Sequence, residues 1–352
     1  MGNERKTEVR ASGNAEGRPG RTGRPARVVW TFAVLVLLLV GGCFAGALLG
    51  SSSVGAGDLW ALVTGDPIDA TARNILVNVR LPRVLAAALA GLSLGCAGSI
   101  IQGVLNNPLA SPNVIGVNSG AGLAVLLASS LVPGAVALLP LAAFLGALAT
   151  ALLVFAIAAR TGASRLSVVL AGMALTAIFG AGMNTVLIVD PDAYIGSSTF
   201  LVGGLSGVQL KNLLAPLAYI AAGFALALAL ARNLNVLSLG DEAAHSLGMN
   251  VRAMRMGSLA VAAVLAGAAV SFAGLLGFVG LMVPHLMRFF VGHDYRLIIP
   301  ASGLAGAAFV SICDVLARVL FAPYELPVGI LMAFLGGPFF IYLIVRKRNA
   351  DV

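Results

Sequence analysis

Residues 82–104 read PRVLAAALAGLSLGCAGSIIQGV, and this run decides the fold class. At about 1.5 Å of rise per residue, an apolar block near 20 residues crosses a hydrocarbon core roughly 30 Å thick. Its Ala, Gly and Ser let neighbouring helices approach closely in lipid, where the hydrophobic effect no longer drives helices together. The rest of the chain has the same character. Of 352 residues, 59% are hydrophobic and 10% charged, against about 25% charged in soluble domains, so water is not the solvent for most of this surface.

Nine further blocks follow the same pattern. The predicted spans are 28–49, 82–104, 114–132, 135–159, 166–189, 208–231, 256–275, 277–290, 298–320 and 327–345. Residues 256–290 are too long for one span and short for two. Basic segments at both ends demand an even number of crossings, which selects two, the second of them short. Alternation from a cytoplasmic N-terminus puts most of the 22 Lys and Arg inside: those of the first 27 residues, then Arg160, Arg165, Arg232, Arg252, Arg255, Arg288, Arg296, Arg346, Lys347 and Arg348. Arg73, Arg80, Arg83, Lys211 and Arg318 fall outside. That excess satisfies the positive-inside rule, with both termini cytoplasmic and the chain a multi-pass protein of the cytoplasmic (inner) membrane.

Residues 1–27 are basic and poor in apolar side chains, which predicts a disordered cytoplasmic tail. A secretory signal is the alternative, since Val40-Gly41-Gly42-Cys43 resembles a lipoprotein cleavage box. The apolar run 28–49 exceeds the roughly 7–15 residues of a signal core, which favours a retained first span. Cys43, Cys96 and Cys313 show no paired spacing for a disulfide framework or a zinc site. No metal site is expected.

The two halves echo one another. Leu89-Ala90-Gly91, Ala97-Gly98 and Pro108 recur at identical spacing as Leu265-Ala266-Gly267, Ala273-Gly274 and Pro284. Pro140, Gly146-Ala147 and Ala159-Arg160 recur in order as Pro300, Gly306-Ala307 and Ala317-Arg318. Five spans separate the partners, so each pair runs in opposite directions. Inverted repeats of this kind build many transporters, with the pathway at the interface between halves. Coincidence is the alternative in a chain dominated by Leu, Ala and Gly.

Several motifs punctuate these spans. Arg80-Leu81-Pro82-Arg83, Gln102 and Asn107-Pro108-Leu109-Ala110 occupy the first half. Gly280-Leu281, Pro284-His285, Arg288, Asp314, Ala317-Arg318, Glu325-Leu326-Pro327-Val328-Gly329 and Gly337-Pro338-Phe339-Phe340 follow in the second. Together they resemble the FecCD-type permeases of siderophore, haem and cobalamin importers, over about residues 28–348. The resemblance implies an all-α, inverted-repeat, type II ABC importer permease fold of about ten transmembrane helices. It also implies a second permease copy or related subunit, two cytoplasmic ATPase subunits and an extracytoplasmic binding protein. By the same resemblance Arg80, Arg83 and Arg318 would be presented to acidic residues of the binding protein, and spans 166–189 and 327–345 would line the pathway. Both spans are rich in small residues, Gly172, Gly180 and Gly182 in one and Gly329, Gly336 and Gly337 in the other. The alternative for the arginines is that they cap Asp314 or Glu325, or snorkel to lipid phosphates.

The segment 237–249, between spans six and seven, is too apolar to be merely solvated. Leu239, Ala243 and Leu247 repeat every four residues, Asp241 and Glu242 lie in a first turn, and Gly248 can end a helix. These features predict a short docking helix. Gly240, Asp241, Glu242, Ala243, Ala244, Leu247 and Gly248 also resemble the EAA-type loop that seats importer permeases in their ATPases. An amphipathic helix resting on lipid is the alternative, disfavoured by its acidic charges.

No glycine-rich loop ending in Gly-Lys-Ser or Gly-Lys-Thr exists, so the chain cannot cradle a nucleotide by a Walker A mechanism. ATP and Mg are expected on a partner ATPase, with no cofactor on this chain and no enzymatic activity of its own. Nucleic acid is not an expected partner; membrane lipid is. An ion-coupled secondary transporter would keep carboxylates at mid-membrane, yet Asp314 is the one acidic residue well inside a span, four residues from Arg318 and able to pair with it. An intramembrane hydrolase would need a Ser and His beside an oxyanion loop, which is not recognisable here. The expectation is a permease for ferric siderophores, with haem and cobalamin as alternatives.

Overall fold

The computed structural model describes residues 23–50, 54–162 and 164–350. Among these, helices stand at all ten predicted positions and no strand occurs. The spans are α1 (Gly23–Leu48), α4 (Leu81–Leu105), α5 (Val117–Leu131), α6 (Leu139–Arg160), α7 (Arg165–Val189), α9 (Leu210–Leu237), α11 (Val251–Ala273), α12 (Val279–Val291), α13 (Tyr295–Val319) and α14 (Val328–Ala350). Four shorter helices lie between them: α2 (Ala56–Thr64), α3 (Ala70–Asn74), α8 (Asp192–Val202) and α10 (Asp241–Ser246). Seven helices are long and apolar enough to cross a membrane, and α5, α12 and the apolar part of α14 are shorter. Residues 256–290 do divide in two, at Gly274 (φ 72°) and Phe278 (φ 65°).

The predicted tail needs one correction. Residues 1–22 lie outside the described residues, but 23–27 belong to α1. Pro25 does not stop the helix, because the first-turn N–H groups have no intrahelical acceptor to lose. A second difference precedes α4: α3, a π-helical turn at Ile75–Arg80 and α4 run on as one 36-residue helix, Ala70–Leu105.

The core is built on α4 and α13, whose apolar windows are 78% buried. They touch backbone to backbone. A Cβ on Gly91 would come within 2.0 Å of the Gly306 carbonyl oxygen, and one on Gly95 within 2.1 Å of the Ser302 oxygen. Around this pair pack α11, α12 and α9, with α1 against α13. The repeat seen in sequence reappears as packing. Gly91 meets Gly306 and Ala307, while its counterpart Gly267 meets Ala147, the counterpart of Ala307. The α4–α13 and α11–α6 contacts are therefore equivalent contacts in the two halves.

Candidate functional site

The first half of the site is α7 and α14, two of several helices, α1 among them, whose apolar faces the bundle leaves largely uncovered. Ser164 starts α7 by accepting the Ser167 N–H at 3.0 Å, yet only 17% of the apolar window of α7 is buried. Leu170, Met173, Ile178 and Ile188 on α7 are exposed, as are Phe334, Ile341 and Tyr342 on α14. The glycines of these helices divide by role. Gly172 lets α7 approach the Val114 carbonyl, Gly329 sits against Val202 and donates its N–H to Gly203 O at 2.9 Å, Gly336 packs on Phe278, and Gly182 lies near Leu123. Only Gly180 and Gly337 look into open space. Two apolar helices of this length with uncovered, small-residue faces can form a conduit once a second surface closes over them.

The second half is the turn between α9 and α11. α10 forms at 241–246, between Gly240 (φ 110°) and Gly248 (φ 81°), backbone conformations that favour glycine. Ala244 is the buried side chain of α10, whereas Leu239, Ala243 and Leu247 are exposed together. Asp241 has a different role from the docking contact predicted for it. Its carboxylate takes two hydrogen bonds from Arg255 Nη2, at 2.8 and 2.7 Å, and one from Arg165 Nη2 at 2.9 Å. Burial alone pushes this carboxyl up, but the Arg255 and Arg165 guanidiniums hold it below the usual carboxylate range. Arg165 is the first residue of α7, so α10 is pinned directly to an uncovered helix. Glu242 stays on the exposed side. Arg165 was not legible as a partner, since it lies 76 residues from Asp241.

Arg80, Arg83 and Arg318, expected at the outer surface, turn into the bundle, as the capping alternative has it. All three are buried, at 3%, 6% and 3% exposure. For Arg80 and Arg318 the cause is the C-terminus of α1, whose last carbonyls have no intrahelical donor and whose last turn has no basic residue. Arg80 Nη1 donates to Ala47 O and Leu48 O at 2.8 Å, and Arg318 donates to Gly46 O at 3.2 Å and Leu49 O at 3.0 Å. Cations are favoured at that end of the helix dipole. Arg83 instead joins Asp314 (3.0 Å) and Glu325 (2.6 Å), and Asp314 also holds Arg318 at 3.2 Å, the i,i+4 pair foreseen from spacing. Of the basic residues assigned to that side, Arg73 and Lys211 are exposed.

A third cluster gathers the remaining motif residues. Buried Gln102 donates from Nε2 to Leu281 O at 3.0 Å, and its Oε1 accepts from Arg288. Arg288 Nη2 reaches the Tyr295 hydroxyl at 3.3 Å, and the Tyr295 N–H donates to Asn235 Oδ1 at 2.9 Å. The chain of bonds thus ties α4, α12 and α13 to Asn235 near the end of α9, six residues before α10 begins at Asp241. Asn106 (φ 47°) ends α4, and Asn107 and Pro108 form the turn beyond it, with Asn107 Oδ1 accepting the Leu109 N–H. Pro284 is buried within α12, His285 lies edge-on to Phe289, Pro327 precedes α14, and Pro338 lies within it. Sequence reasoning had no means of finding Tyr295 and Asn235, which carry no motif of their own.

A model of the FecCD transport family matches residues 35–346. The hemin transport system permease protein HmuU of Yersinia pestis is 40% identical over 326 residues, covering 90% of this chain and 95% of that protein. The iron(3+)-hydroxamate import system permease protein FhuB of Bacillus subtilis is 39% identical, over 91% and 85% of the two chains. The cobalamin import system permease protein BtuC of Halobacterium salinarum is 41% identical, over 79% and 75%. Among solved structures, a metal-chelate-type ABC transporter in an inward-facing conformation superposes with a TM-score of 0.79 at 29% identity, covering 90% of this chain and 98% of that one.

Proposed function

The chain belongs to the FecCD transport family and is a multi-pass permease subunit of an ABC importer, and from that premise we propose its cargo, partners and coupling route. The cargo is a ferric siderophore or similar iron chelate, with haem and cobalamin as alternatives. The observation that carries this reading is the uncovered apolar face of α7 and α14, open at Gly180 and Gly337. A weakly polar conduit, closed by a second permease copy or related subunit, suits a bulky chelate better than a bare ion.

Coupling runs through α10. Exposed Leu239, Ala243 and Leu247 supply the apolar face for a cytoplasmic ATPase subunit, and Glu242 the charge beside it. Movement of that face reaches α7 through Asp241 and Arg165, and reaches α11 through Arg255. ATP and Mg are held by the ATPase pair, and both termini of the permease are cytoplasmic. On the opposite face an extracytoplasmic binding protein delivers the chelate, with Arg73 and Lys211 as the exposed cations available for steering.

The test is uptake by the importer reconstituted with its ATPase and binding protein. ATP-dependent accumulation of a radiolabelled ferric siderophore is the expected result. Uptake driven by a proton gradient without ATP would overturn the class, and preference for haem or cobalamin would replace the cargo. A Glu242→Arg, Gly248→Pro permease should insert normally yet lose ATPase copurification; normal retention and uptake would remove α10 from the coupling route.

A further inference from the structure

A groove between α1 and α12 serves none of the roles above. Trp30, Val34 and Leu38 face Met287 and Phe290 across an apolar cavity of about 350 Å³. From Arg27 to Leu38 the helix rises about 16 Å, close to half of a hydrocarbon core roughly 30 Å thick and so the depth of one leaflet. At the N-terminal end of α1 this cavity meets a second of about 810 Å³, which shares Arg27 and Phe290 with it and adds His293 and Asp294. The walls therefore change from apolar to charged along one continuous path. Trp30 is 71% exposed where they change, the depth at which amphipathic rings settle in a membrane.

The charged end carries both signs. The Arg27 guanidinium donates to the Phe289 carbonyl, which holds it at the mouth, and among the described residues it pairs with no carboxylate. An arginine keeps several further N–H donors after one such bond. Asp294 Oδ1 accepts from Asn235 Nδ2 at 2.7 Å and from the Arg296 N–H at 2.9 Å, and neither bond uses Oδ2. We propose that this groove holds one aminophospholipid of the leaflet on the side of the α1 N-terminus. An acyl chain lies along Val34 and Leu38, the phosphate meets Arg27, and the ammonium meets Asp294. A purely anionic headgroup would satisfy Arg27 but set its charge against the Asp294 carboxylate.

The experiment is native mass spectrometry of the full chain released from nanodiscs holding equal phosphatidylethanolamine and phosphatidylglycerol with matched acyl chains. The wild-type chain should retain one phosphatidylethanolamine in preference to phosphatidylglycerol. Arg27→Gln and Asp294→Asn should each weaken that retention about tenfold, the size of a lost charge-assisted hydrogen bond. The Asn variant keeps a good helix N-cap, so α13 still starts correctly. Val34→Trp, which fills the groove without touching either charge, should also expel the lipid. Equal retention of the two lipids, or phosphatidylethanolamine retention unchanged by Arg27→Gln and Asp294→Asn, overturns the proposal.

Discussion

Replacing Asp314 by Asn should be among the most damaging single changes in the chain. The Asp314 side chain is 2% exposed and lies between Arg83 Nε at 3.0 Å and Arg318 Nε at 3.2 Å, whose side chains are 8% and 3% exposed. Asn is nearly isosteric but neutral. Arg83 would keep Glu325, a part-exposed carboxylate at 2.6 Å. Among the described residues, Arg318 would keep the neutral carbonyls of Gly46, Leu49 and residue 314 itself. Removing one partner of a buried pair and stranding the other costs about 3–5 kcal/mol, on the order of 10² to 10⁴ in the unfolding equilibrium and a large share of a typical stability of about 5–15 kcal/mol. Glu325→Gln, at a wetter position, should cost clearly less. Unfolding in detergent can be followed by a thiol-reactive dye, because Cys96 and Cys313 are buried at 0% and 1% exposure; replacing half-buried Cys43 by Ser lowers the background. A loss under about 1 kcal/mol for Asp314→Asn, or one no larger than that of Glu325→Gln, would refute the view that this network holds the end of α1.

The same geometry predicts that Arg80→Glu and Arg83→Glu lower thermal stability, rather than merely slowing association with a binding protein, and a melting curve beside a salt-dependent association rate separates the two. Gly91→Val should cost about 1–3 kcal/mol by overpacking, because the neighbour it strikes is backbone at 2.0 Å; Gly257→Ala, with nothing within 4 Å of its Cβ, should be neutral or stabilising by up to about 1 kcal/mol, and equal effects would discredit the α4–α13 contact. Asp241 has a lowered pKa in the folded chain, so its stabilisation is fully present above the ordinary carboxylate value near 3.9 and is lost as pH falls through the lowered folded value. Asp241→Asn should flatten that acid limb of the stability profile, and an unchanged limb would assign it to other groups. Copies carrying Gly180→Cys or Gly337→Cys should cross-link across the pathway in the assembled importer, and failure of both to cross-link under oxidation would place the conduit elsewhere.

Helices stand at all ten positions read from the sequence, and the seven long, apolar ones were the most legible, because a bilayer imposes length and apolarity on each crossing independently of its neighbours. Parity and charge bias settled the division of 256–290 for the same reason, and the fixed spacing of Leu89-Ala90-Gly91 and Leu265-Ala266-Gly267 disclosed the repeat. The short helices α2, α3 and α8 lie outside the predicted spans, because the length of a membrane crossing does not pick them out, whereas the short helix α10 was legible because Leu239, Ala243 and Leu247 share a face four residues apart. What only the tertiary structure decided is where the polar side chains turn. Arg83 finds Asp314 231 residues away and Arg318 finds Gly46 272 residues away, so three arginines expected on the surface instead hold the orphan carbonyls and carboxylates at the end of α1. Asp241 likewise turns inward to Arg165 and Arg255 while Glu242 beside it stays out. Local periodicity reports which face of a helix is apolar, but a buried charge takes whatever partner the packing brings within hydrogen-bond reach. In a membrane-embedded bundle, where an unpaired charge is costly, that partner is chosen by the three-dimensional arrangement and not by the neighbouring sequence.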